Sequence, residues 1–213
     1  MVAAIAGLLV AIWGCDWSSD SRNKQKDRKD KKPARTLEVR SVAFTDINEA
    51  TGDVYNASDL VPIGDGKFLI VDNNTNDALL ELDLTADGKQ AGPLVRRPLT
   101  GLANGAIDDV EDLAYATEGG KQFIIASPSL SVKVGSKRKG KEQEVRPGGI
   151  VRIAIDANGT LTAEDMPGFR DWFVDNVPEL KAAAKNDPDF GGLNVEGLEW
   201  DPARHALLFG IRT

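Results

Sequence analysis

Sulfur and imidazole are almost absent: the chain has one cysteine, Cys15, and one histidine, His205, in 213 residues. A lone cysteine excludes an intramolecular disulfide and any multi-cysteine zinc site, and a lone histidine excludes His-rich metal clusters and most catalytic dyads. Chemistry here must rest largely on oxygen ligands and carboxylates. An excess of positive charge is missing too. The formal net charge is -7, and residues 36–213 carry 18 basic against 29 acidic residues, or -11. Such a body repels phosphate backbones, so nucleic acid is not an expected partner and the basic stretches are local features. With 41% hydrophobic and 28% charged residues the balance is that of an ordinary globular domain of moderate size.

The apolar run at residues 2–13 is too short to cross about 30 Å of hydrocarbon comfortably, but it has the length of a signal-peptide core. It ends in Ile12-Trp13-Gly14-Cys15, which resembles a bacterial lipobox, in which a small residue precedes a cysteine that is lipidated. Residues 1–15 are thus expected to be a lipoprotein-type signal peptide, with Cys15 the lipidation site. Trp13 departs from that pattern, as does the missing basic leader, which residues upstream of Met1 would supply. Asp16 resembles the signal that retains such lipoproteins in the inner membrane. Residues 16–36 follow as a disordered basic linker: from Ser18 the chain has no apolar residue before Ala34, so it buries too little to offset its chain entropy. The alternative role for its eight cations is to lie against anionic headgroups.

An internal repeat organises residues 37–213. "NASDL" (56–60), "DVEDL" (109–113) and "NVEGL" (194–198) share a pattern of Asn or Asp, a small apolar residue, a polar residue, Asp or Gly, then Leu. Each is followed by an apolar run of strand length: "FLIVD" (68–72), "FIIAS" (123–127) and "LLFGIR" (207–212). A third segment aligns in the first two units, "LELDLTADGK" (80–89) with "VRIAIDANGT" (151–160). Both alternate with period two and end at Asp-Gly or Asn-Gly, a strong hairpin signal. A unit of strand, strand, strand, tight turn and fourth strand is the antiparallel meander of a propeller blade.

The expected fold is therefore all-β, an incomplete β-propeller of about two and a half four-stranded blades. Two insertions lengthen the second unit. One is a basic loop at 128–148; the other, 167–192, places Phe169, Trp172, Phe173, Val177 and Leu180 on a roughly helical face interrupted by Pro178, as two short helices require. The third unit stops at Thr213, inside the strand its motif opens, so further copies are expected beyond it. The competing architecture is an independent β-sandwich of about nine short strands.

The stretches "DVEDLAYATEGGKQFIIAS" and "NVEGLEWDPARHALLFGIRT" resemble a bacterial family of unknown function, domain-of-unknown-function family 3616. The resemblance covers roughly residues 53–213 and matches Asp109, Glu111, Leu113, Asn194, Glu196, Gly197, Leu198, Gly210 and Arg212. Where that family carries a Ser-His pair this chain has Ser127-Pro128, so no histidine role carries over. The family has no assigned reaction. It is similar in pattern to propeller groups that include calcium-dependent hydrolases of phytase or lactone-hydrolase type.

In a propeller the innermost strand of each blade lines a central channel, so Glu111 and Glu196 are expected to converge there. Like carboxylates brought together are neutralised by protonation, a base or a cation, and an oxygen-only ring suits calcium with six to eight ligands. Asn56, Asp109 and Asn194 add oxygens to that candidate set, and Ser58 replaces the glutamate in the first copy. Arg212 is the candidate anion clamp, with Ser127 a second ligand-binding candidate. The alternative is that these side chains only hydrogen-bond backbone amides at strand starts.

Two functions follow. One is an envelope-anchored binding or scaffold module, exposed to the periplasm or cell exterior, with a small anionic ligand. The other is a calcium-dependent hydrolase of phosphate esters or lactones using Glu111 or Glu196 as metal ligand or general base.

Overall fold

The structure, a computed structural model, describes residues 55–102, 107, 109–133, 144–145 and 149–212. The expected signal peptide, its Cys15 and the basic linker lie outside the described residues. So does most of the basic stretch 134–148.

The first meander is β1 (Ala57–Gly64), β2 (Lys67–Asp72), β3 (Ala78–Asp83) and β4 (Val95–Thr100), each antiparallel to the next. Its middle strands bury consecutive residues, Leu69, Ile70 and Val71 on β2 and Leu79 and Leu80 on β3. Continuous apolar runs are what strands covered on both faces require.

The second meander begins with β5 (Val110–Glu118) and β6 (Lys121–Pro128). A short hairpin, β7 (Val132–Lys133) with β8 (Glu144–Val145), then interrupts it within the basic insertion. It resumes with β9 (Ile150–Ile155) and β10 (Leu161–Met166). The turn between these two is the Asn158-Gly159 hairpin anticipated from sequence. Asp156 closes it by accepting the N–H groups of Asn158 and Thr160, each at 2.8 Å.

A short parallel pairing, Leu99 with Leu161 and Thr100 with Thr162, joins β4 to β10. The result is one eight-stranded sheet in the order β1-β2-β3-β4-β10-β9-β6-β5. Its end strands β1 and β5 pack against each other, so the sheet curls back on itself and is nearly closed, like a barrel. Leu69, Val71, Leu79, Leu113, Ile124, Ile153 and Leu161 fill the interior.

A polar stitch reinforces the junction: buried Glu81 on β3 accepts from Lys67 at 2.6 Å and from Arg97, and Arg97 also donates to the carbonyl of Gly159. Glycine suits position 159, where φ is +77°, a conformation that side-chain-bearing residues rarely adopt.

The remaining elements cover the outer face of the second meander. Helix α1 (Phe169–Asn176), the one-turn helix α2 (Leu180–Ala183) and a 3-10 turn at Pro188–Phe190 lead into the hairpin β11 (Asn194–Asp201) and β12 (Ala206–Arg212). Pro178 falls between the two helices. Phe173, Leu180, Leu193, Val195, Leu198 and Phe209 form a second core against Ala114, Ile125 and Ile150. Of the helical face expected from sequence, Phe173 is fully buried, whereas Trp172 is 47% exposed. Buried Arg170 fastens the insertion, its Nε donating to the Leu130 carbonyl at 2.8 Å and Nη2 to the Ala184 carbonyl at 2.7 Å. Burial holds the Arg170 pKa below the ordinary guanidinium value.

Candidate functional site

The three copies of the repeated pentapeptide open β1, β5 and β11, and these three strands lie in order, β1 against β5 and β5 against β11. All three carry a β-bulge at one and the same place. The register steps from Ala57 to Asp59, from Val110 to Asp112 and from Val195 to Gly197, leaving Ser58, Glu111 and Glu196 as the extra residue. A bulge bends its strand and re-aims a side chain. Position three of the motif is therefore singled out by the backbone in every copy.

The fourth and fifth positions join one copy to the next. Asp59 Oδ2 accepts the N–H of Leu113 at 2.8 Å, and Asp112 Oδ2 accepts the N–H of Leu198 at 2.6 Å. Each aspartate thus takes the leucine amide of the following copy, while the leucines Leu113 and Leu198 enter the first and second cores. Asp112 Oδ1 also accepts from Leu113, at 2.8 Å, so the two carboxylates meet at one amide. Burial pushes the Asp112 carboxyl up to about 7, helped by its hydrogen bond to Asp59 and the charge of Asp59, against the opposing pull of the Leu198 and Leu113 N–H groups. Asp112 therefore holds a proton well above the usual carboxylate range.

Gly197 takes the fourth position in the third copy. It pairs with Gly210 across β11 and β12, and a Cβ on Gly210 would lie 3.2 Å from the Gly197 Cα. A Cβ on Gly197 would lie 3.7 Å from Asp112 Oδ2. The glycine pair lets the two strands approach closely where the carboxylate of the preceding copy arrives.

Around this spine the first position of each motif is tied into its own unit. Asn56 donates its backbone N–H to buried Asp72 at 2.5 Å, and its carbonyl accepts from Asn73 at 3.0 Å. Asp109, with φ of +56°, accepts from the Ser129 hydroxyl at 2.5 Å, and the Ser129 and Ser131 hydroxyls are 2.8 Å apart. The Ser129 carbonyl accepts from Val195 at 2.7 Å, linking the loop after β6 to the third motif. Leu130, beside it, has φ of +53°; the Arg170 bond to its carbonyl holds that conformation.

The third copy is the most open. Buried Asn194 donates through Nδ2 to Glu196 Oε1 at 2.6 Å, and Arg212 Nη1 lies 2.9 Å from the same oxygen. The Glu196 and Arg212 side chains are 40% and 58% exposed, so this ion pair faces solvent.

Of the residues singled out from sequence, the structure brings Asn194, Glu196 and Arg212 into one cluster and sets Asp109 with Ser129 and Ser131 beside it. Glu111 is half-buried at the equivalent bulge of β5. Ser127 is fully buried, its hydroxyl donating to the Pro128 carbonyl at 3.0 Å. As arranged, the candidate calcium donors do not fit the ion well. The Arg212 guanidinium occupies the Glu196 carboxylate, the Asp109 carboxylate accepts from Ser129, and among the described residues no three acidic, imidazole or thiolate side chains converge.

The sequence reading passed over Asp59 and Asp112 as functional residues. Their signal was the Asp, Asp, Gly succession at position four, with Gly197 facing Gly210 across the hairpin. No protein-family model, curated protein or solved structure matches the chain.

Proposed function

We propose that the three units are successive blades of a β-propeller, two of them four-stranded and the third represented by β11 and β12, in a protein akin to domain-of-unknown-function family 3616. On this reading the chain is a lipid-anchored envelope module, attached through Cys15, that binds a small anionic ligand or serves as a scaffold. The observation that carries it is the identical bulge in three side-by-side strands, each joined to the next by an aspartate-to-leucine-amide bond. That is the repetition about a common axis which innermost blade strands require.

Arg212 supplies the anion contact: its forked donors suit a carboxylate or phosphate, and Glu196 is the intramolecular anion that a ligand would displace. Titration calorimetry of the chain with inorganic phosphate and with citrate tests this. Binding that is lost in Arg212→Ala and strengthened in Glu196→Gln supports the reading, and no heat with either anion contradicts it. The hydrolase alternative needs calcium to displace Arg212 from Glu196. Calcium-dependent turnover of a model phosphate ester or lactone, abolished in Glu196→Gln, would favour that alternative. Incorporation of labelled fatty acid at Cys15 in a bacterial host, absent from Cys15→Ser, tests the anchor.

A further inference from the structure

The turn after β6 is strained where its counterpart in the first unit is not. After β2, Asn73 donates its N–H to the Asn56 carbonyl at 3.0 Å, and none of the described residues 73–77 has a positive φ. After β6, Ser129 makes the equivalent bond to the Asp109 carbonyl at 3.2 Å, but the next residue, Leu130, is left-handed with φ of +53°. A leucine holds that conformation only where its surroundings impose it. The imposing group comes from the helical insertion. Arg170, on α1, donates Nε to the Leu130 carbonyl at 2.8 Å and Nη2 to the carbonyl of Ala184, at the end of α2, at 2.7 Å. An apolar side chain would fill the same space without the desolvation cost of a charge. Arg170 is buried, and the acidic group beside it, Asp171, is 3.9 Å away and 82% exposed. What the guanidinium contributes is therefore its two bonds to carbonyls of separate segments.

The φ of Leu130 is the rotation of the peptide plane that carries the Ser129 carbonyl. That carbonyl accepts the Val195 N–H at 2.7 Å, and the Ser129 hydroxyl is anchored on Asp109 Oδ2 at 2.5 Å. Val195 stands between Asn194 and Glu196, whose side chains are bonded at 2.6 Å and meet Arg212. We propose that Arg170 is a positioning residue for the Asn194–Glu196–Arg212 cluster: it fixes the left-handed Leu130, which aims the Ser129 carbonyl at Val195 and so sets where β11 presents Asn194 and Glu196. The anion-binding reading supplies the ligand of this site, and the coupling geometry stands apart from it.

Site-resolved amide exchange and citrate calorimetry on the full chain test the coupling, with Arg170→Met, which keeps an apolar chain of similar length and removes both bonds. Val195 exchange is expected to rise relative to that of Leu198, whose amide Asp112 holds, and citrate affinity to fall about 2- to 30-fold. The same substitution is then made in a Leu130→Gly background, where a left-handed φ carries no steric penalty. A positioning role predicts little further change in Val195 exchange or citrate affinity there, whereas a packing role predicts the same change in both backgrounds. Arg170→Lys, which keeps the charge but not the fork, supplies the comparison if Arg170→Met does not fold. Val195 and Leu198 loosening together, equal effects in both backgrounds, or failure of both variants to fold overturns the proposal. Absence of citrate heat with the wild type contradicts the anion reading alone, and the exchange comparison still decides this one.

Discussion

The nearly closed sheet and the β11–β12 hairpin start from the same five-residue motif and the same bulge, yet they are stabilised differently. In the sheet, β1 and β5 enclose a core fed by both meanders, and every strand has neighbours on both sides or packs against the opposite end. The hairpin has one paired strand, one carboxylate bond from Asp112, and a core borrowed from α1 and the outer face of the second meander. A two-stranded hairpin is marginal by itself in water, so its order depends on docking. The lesson is that a repeat unit's stability lies as much in its neighbours as in its own sequence.

Removing the docking should separate the two regions most sharply. Phe173 is fully buried between the hairpin and the second meander, with its ring 5.0 Å from that of Phe209. Phe173→Ala is expected to cost about 3–5 kcal/mol. Residues 169–212 should then lose exchange protection at lower urea than the eight-stranded sheet. Ile153→Ala, inside the closed sheet, should instead lower the urea midpoint of the whole molecule, at a cost of about 2–5 kcal/mol. Circular dichroism with site-resolved exchange distinguishes a two-step from a single transition.

The carboxylate bond is the next largest effect. Asp112→Ala leaves the Leu198 N–H without its partner and is expected to cost about 1–3 kcal/mol, expressed mainly in the hairpin. Asp112→Asn tests the proton. The Asp112 pKa is raised in the folded protein, from an ordinary 3.8 to about 7, so the native state binds more protons than the unfolded state between those values. This group's contribution to stability is therefore greatest below about pH 4, and is lost as pH rises toward 7. An asparagine, which accepts from Leu198 and donates to Asp59 at any pH, should flatten that slope; an unchanged slope assigns it elsewhere. Smallest is Arg212→Ala. Its ion pair with Glu196 is exposed, so stability should change by at most about 1 kcal/mol in the same urea series while anion binding is lost.

Local chemistry was legible in the sequence. The apolar runs at 68–72, 123–127 and 207–212 fall within β2, β6 and β12, and the Asn-Gly turn lies between β9 and β10. Two short helices flank Pro178 as the apolar spacing required. These features depend on neighbours a few residues away. What escaped reading depends on partners far along the chain: the parallel β4–β10 contact that joins the meanders, the Arg97 bridge to Gly159, and the bonds from Asp59 to Leu113 and from Asp112 to Leu198, 54 and 86 residues apart. The candidate site was legible in part. Asn194, Glu196 and Arg212 do meet, but the carboxylates that come together, at the Leu113 amide, are those of Asp59 and Asp112, one position beyond the glutamates expected to converge. A bulge moves side chains off strict alternation, and period-two reasoning does not anticipate one.

The central claim is that each motif aspartate holds the leucine amide of the next copy, so that one unit is fastened to another in sequence. Amide exchange at Leu113 and Leu198, compared between the wild type and Asp112→Ala, tests it directly. The expected result is a selective collapse of protection at Leu198, while Leu113 stays protected because Asp59 still accepts its N–H. Equal protection at both amides in both proteins, or loss at both together, would contradict a chain of carboxylate bonds running from copy to copy.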